Sequence, residues 1–118
     1  MTEYTYRQIK SLVERNPNLF DGLDILNTKR AIKWLPGHMN IFNRFMVEAL
    51  KAKEAGYQRY SARAIWHYLR HLHQIDLETR DLKLTNIVTP VLARVAMKLD
   101  PRLEGLFLLR GKGGETDG

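Results

Sequence analysis

Between Asn40 and Gly56 the apolar residues Ile41, Phe42, Phe45, Met46, Ala49 and Leu50 recur at spacings of three and four. That period belongs to one stripe of an α-helix and is incompatible with a strand, whose side chains alternate every second residue. Asn40 suits the N-cap of this helix, and Gly56 suits the residue just past its end. The stripe is core structure, and its Met and Phe residues are packing groups.

Other segments follow the same helical grammar. Thr5 with Gln8 three residues on forms a capping-box pattern, and Ile9, Leu12 and Val13 share a face behind it. Asn16 and Pro17 stop that helix. A second helix is expected from Thr28 as N-cap, with Ala31, Ile32 and Leu35 inward, ended by Pro36 and Gly37. Ser61 caps a further helix from residue 62 to about residue 74. At about 100° per residue, Ile65, Tyr68, Leu69 and Leu72 fall in one arc. Arg63, His67, Arg70 and Gln74 lie opposite, with Trp66 and His73 on the flank.

Beyond residue 74 the pattern changes. Ile75, Leu77 and Thr79, then Leu82 and Leu84, alternate with polar residues, which favours extended structure. Thr89 followed by Pro90 reads as a helix start, because proline's missing N–H costs nothing at the first helical position. The helix from residue 90 to residue 99 would turn Val91, Leu92, Val95, Ala96 and Leu99 inward and Arg94 and Lys98 outward. Residues 106–110 read as a short strand that could pair with residues 82–85. The glycine-rich end, 111–118, has little to bury and reads as a disordered tail. The expected fold is therefore mainly α, a small helical domain with a short two-stranded β element. Residues 1–38 form an N-terminal helical extension packed on a domain spanning 39–110.

Composition limits function more than fold. The chain has 118 residues and no cysteine, which excludes disulfide frameworks, Cys-ligated zinc and thiol nucleophiles. No apolar run approaches the roughly 18 residues that span a bilayer. The first residues lack the basic start and apolar stretch of a secretory signal. A soluble, cytoplasmic protein without membrane attachment is expected.

The net charge of +6 is unevenly placed. Residues 39–73 hold six basic and two acidic residues, whereas residues 74–118 hold seven of each. Residues 55–75 carry Arg59, Arg63 and Arg70 with no carboxylate, interleaved with Tyr57, Tyr60, Trp66 and Tyr68. Cations mixed with aromatics suit a polyanion partner, although a solvated helix face would have the same composition.

Catalytic chemistry finds little support. His67, His71 and His73 could bring two imidazoles to one metal across a helical turn. The further ligands that a closed site needs are missing, as is a zinc protease's glutamate, so neither metal nor cofactor is expected. The carboxylates Asp21 and Asp24, or Asp76, Glu78 and Asp81, have no matching acid, base or phosphate-cradling loop beside them. The expectation is a protein that is not an enzyme.

From residue 40 onward the order is helix, capped basic helix, extended segment, proline-started helix, then a terminal strand followed by Arg110, Gly111 and Lys112. This order resembles a winged helix-turn-helix. The resemblance implies that the helix opened by Thr89 enters the major groove of DNA, that Arg94 and Lys98 reach bases or phosphates, and that Lys112 lies on a wing. The pattern departs from that family in one respect. About fourteen residues separate Gln74 from Thr89, where a helix-turn-helix uses three or four. Either strands are inserted there or the basic helix after Ser61 is itself the reader. The run from Tyr60 to Ile65, Arg70 eight or nine residues after Ala62 and Ser61, and Ala93 with Arg94 before Pro101 are also similar to small uncharacterised proteins of phages and mobile elements. That similarity covers residues 42–110 and implies a genomic setting.

The resulting expectation is a small basic DNA-binding protein, a phage or mobile-element regulator. It would contact the backbone of duplex DNA through Arg59, Arg63, His67, Arg70 and Gln74, with Arg94, Lys98 and Lys112 as further nucleic-acid-binding residues. A homodimer would suit palindromic sites. The alternative is a protein-interaction module, such as a phage-encoded inhibitor or adaptor of a host protein. Trp34, Tyr57, Tyr60 and Trp66 would then be its interface anchors.

Overall fold

The computed structural model describes residues 3–73 and 82–108, the side chains of residues 73 and 82–85 excepted. Its order is α1 (Tyr6–Arg15), α2 (Ile25–Trp34), a 3-10 turn (Leu35–Gly37), α3 (Met39–Glu54), α4 (Ala62–His73), α5 (Leu82–Leu99) and a second 3-10 turn (Pro101–Leu103). Among the described residues there is no β-strand.

Local chemistry sets most of the helix ends. The Thr5 side chain accepts from the Gln8 N–H while the Gln8 side chain accepts from the Thr5 N–H at 2.8 Å, a closed capping box for α1. Just before it, Tyr4 is tied to α3 by a reciprocal pair. Its N–H donates to Asn43 Oδ1 at 2.6 Å, and Asn43 Nδ2 donates to its carbonyl at 3.0 Å. Asp24 caps α2, accepting from the Asn27 N–H at 2.9 Å. The expected cap, Thr28, instead lies within α2 and donates its hydroxyl to the Asp24 carbonyl. The earlier start was hidden because Ile25 and Leu26, which open the helix, are apolar yet exposed. α3 begins at Met39, one residue before the expected cap Asn40.

At the end of α3, Gly56 adopts φ +100°. Its N–H donates to the Lys53 carbonyl at 3.1 Å, and the Tyr57 N–H donates to Ala52 at 3.2 Å. These two bonds form a Schellman motif, in which glycine takes the left-handed position without a Cβ penalty.

α5 is the central element, packing against α1, α2, α3 and α4. Ile87, Val88, Val91, Leu92, Val95 and Ala96 are all buried on it, the pattern of a helix surrounded by protein. Three expectations are corrected here. Residues 82–85 are helical, so the strand there is absent. Pro90 lies inside the helix and does not start it. The helix continues through the proline, although an interior proline costs about 3 kcal/mol, because Ile87 and Val88 upstream are buried in the same core. Residues 106–108 are irregular. Leu106 and Phe107 plug the core, and Phe107 packs 5.5 Å from Phe45, centroid to centroid. Without the expected hairpin, the winged-helix pattern has no described wing. Residues 75–81 of the expected extended segment, and the tail 111–118, lie outside the described residues.

One core joins both halves of the chain. Ile9 and Leu12 from α1, Ala31 from α2 and Leu35 after it pack with α3, α4 and α5. The radius of gyration is 13.3 Å, close to the roughly 13.5 Å of a single domain this long. Among the described residues no helix is long and apolar enough to cross a membrane.

Candidate nucleic-acid interface

α4 faces the core with Ile65, Trp66 and Leu69. Trp66 is 0 % exposed and meets Trp34 edge-on at 5.6 Å, and Trp34 in turn stacks on His38 at 4.1 Å. The expected inward arc was therefore rotated. Trp66 moves from the flank to the centre, while Tyr68 and Leu72 turn outward. The largest apolar side chain on the helix gains most from burial, and Tyr68 keeps a hydroxyl that needs a partner. Tyr68 lies beside Arg44, whose charged form is favoured first by its bond to Glu48. The same rotation removes Trp66 as an interface anchor, and half-buried Trp34 is engaged with His38.

The outer face of α4 carries Arg63, His67 and His71 at intervals of four, all exposed, beside Ala64, Tyr68 and Leu72. Arg70 is half-buried at the border of this face. Arg63 is held in place, its Nη2 donating 2.7 Å to Asn86 Oδ1 on α5. A neutral amide positions the guanidinium without cancelling its charge. The carboxylate of Glu48, on α3, is shared by Arg44 at 2.9 Å and Lys51 at 3.4 Å, so that group keeps a net positive charge.

The loop between α3 and α4 leads into this helix and is bonded in place. Ser61 Oγ accepts from the Ala64 N–H at 3.1 Å and so caps α4. The Tyr60 N–H donates to the Leu106 carbonyl at 2.9 Å. Arg59 Nη1 donates to the Gly105 carbonyl at 3.1 Å and to that of Gln58 at 3.2 Å. Through these bonds the loop is stitched to the segment after α5.

Arg59 also lines a cleft of about 820 Å³ between the end of α1 and the residues after α5. Leu19, Met97 and Phe107 provide apolar lining, and Arg15, Arg59 and Lys98, all exposed, line it together with buried Arg94 and a single carboxylate, Glu104. Arg15 was not among the residues expected from sequence. In the sequence it is only the basic residue of α1's last turn, and its role depends on a tertiary approach between distant segments.

Arg94 departs from expectation. It is 3 % exposed, and its Nη1 donates to the carbonyls of Leu19 at 3.1 Å and Asp21 at 3.0 Å. Burial lowers its pKa, with Asp21 opposing the shift. Its guanidinium holds the loop between α1 and α2 against α5, so it does not project outward into a groove. Lys98, four residues on, is exposed as expected. Gln74 and Lys112 lie outside the described residues. Among the described residues no three His, Asp or Glu side chains gather into a metal-holding group. No family model, curated protein or solved structure matches the chain.

Proposed function

We propose that the protein binds nucleic acid through backbone contacts. Arg15, Arg59 and Lys98 around the cleft, with Arg63 and His67 on α4, would follow the phosphates. The carrying observation is a cleft lined by three exposed basic residues, Arg15, Arg59 and Lys98, against one carboxylate, Glu104, with Arg59 standing in the loop that leads into α4, a helix with no carboxylate of its own. Such a surface attracts a polyanion and neutralises its phosphates in a salt-dependent way. The burial of Arg94 weighs against a major-groove reader on α5 and in favour of backbone contact.

The test is fluorescence anisotropy with labelled nucleic acid, comparing the native protein with a double variant, Arg59→Glu with Lys98→Glu. Both side chains are exposed, so folding should survive. Loss of binding supports the reading, and equal binding by both proteins removes it. A second reading, a protein partner, is favoured by Ile25 and Leu26, each 71 % exposed side by side on α2. Capture of a stoichiometric protein that depends on those two residues and resists nuclease would support it.

A further inference from the structure

We infer that the nucleic acid recognised is single-stranded, its unpaired bases stacking on Tyr57 and Tyr60 while Arg59 and Arg63 hold the adjoining phosphates. This rests on the nucleic-acid reading above and narrows it to one class of ligand. Tyr57 is 53 % exposed and Tyr60 36 % exposed, although the core a few residues away buries Ile41, Phe42, Phe45 and Met46 of the α3 stripe. Their rings meet edge to face, with centroids 5.0 Å apart and planes at 69°. In an edge-to-face pair the ring that offers its edge keeps both faces clear of the other, so a flat partner can stack there.

The backbone holds this pair ready. Tyr57 follows directly on Gly56, and its N–H closes the Schellman motif on Ala52. Tyr60 is held through its N–H on Leu106. Side chains presented from a fixed backbone lose less entropy on binding. Between the two tyrosines in sequence stands Arg59, anchored on Gly105, and in the first turn of α4 stands Arg63, anchored on Asn86. Neither partner is a carboxylate, so both cations keep their charge for a phosphate. Arg59 then leads into the cleft, where the strand can continue past Arg15 and Lys98.

A duplex cannot use these features, because its bases already stack on one another and present only edges in the grooves. A single strand offers both a π-face for each ring and a flexible backbone for the arginines. The aromatic pair therefore selects between two nucleic acids that the cations alone would bind alike.

The experiment measures anisotropy of a labelled mixed-sequence single strand and of the duplex formed from it, against the native protein, Tyr57→Ala, Tyr60→Ala and Tyr60→Phe. The expected result is tighter binding of the single strand. Each alanine variant should weaken it roughly 10- to 100-fold, with duplex binding unchanged and Tyr60→Phe close to native. Thermal melts confirm that the variants fold. Single-strand binding indifferent to both alanine substitutions would overturn the stacking inference and leave backbone binding standing. A loss shared equally by Tyr60→Phe would also overturn it, since the hydroxyl and not the ring would then be responsible. If neither nucleic acid binds at low salt, the underlying reading fails with it.

Discussion

Arg63 on α4 donates 2.7 Å to the side-chain carbonyl of Asn86 on α5, and both residues are exposed. The bond fixes a cation at the surface through a neutral partner. Replacing that partner with a carboxylate of the same shape should keep the geometry and cancel the charge. Asn86→Asp is therefore expected to weaken nucleic-acid binding and to lower the magnitude of the salt slope by about one. An anisotropy series over several salt concentrations checks it, and an unchanged slope would show that Arg63 makes no phosphate contact.

Arg94 should behave as a stability residue. Arg94→Ala removes two charge-assisted bonds to the loop between α1 and α2 and leaves the Leu19 and Asp21 carbonyls without that donor. The expected loss is about 2–4 kcal/mol, read as a lower urea midpoint. A variant of native stability would place Arg94 outside the structural role assigned to it.

Asp100 supplies an acid-sensitive contribution. Its carboxylate caps the turn Pro101–Leu103 and takes a forked pair from Arg102, Nε at 3.0 Å and Nη2 at 2.7 Å. The Arg102 side chain, more than any other group, holds its pKa below the ordinary 3.8. A depressed carboxylate stabilises the fold above its unfolded pKa, and that contribution is lost as pH falls through the folded value. Unfolding free energy should thus decline as pH drops below about 3.8, and Asp100→Asn should flatten that decline. Denaturant titrations over an acidic pH series measure both.

Gly56→Ala isolates a backbone effect. No atom lies within 4 Å of the position a Cβ would take, yet φ is +100°. The expected cost of about 1 kcal/mol is therefore conformational strain and not a clash. A larger loss in thermal unfolding would point to a contact made by Tyr57 through the same turn.

The helices set by local chemistry were legible in the sequence. The Thr5–Gln8 box, the Ser61 cap, the apolar stripe of α3 and Gly56 all occur where short-range rules place them. What the sequence concealed was decided by distant contacts. Thr89 and Pro90 carry the local signature of a helix start, and the burial of residues 87–89 and 91–96 on α5 overrides it. Arg94 has the spacing of a surface pair with Lys98, but the Leu19 and Asp21 carbonyls draw it inside. On α4 the winner between Trp66 and Tyr68 was set by which ring the core could accept. Of the candidate site, the cationic character of α4 and its preceding loop was readable. The cleft was not, since Arg15 and Lys98 are neighbours only after folding.

The proposed grip of Arg15, Arg59, Arg63 and Lys98 on phosphates is tested most directly by the salt dependence of binding. With a single strand, the logarithm of the binding constant should fall linearly with the logarithm of salt concentration, with a slope of about 3 in magnitude for four such contacts. A slope near zero, or no binding at low salt, would contradict the account.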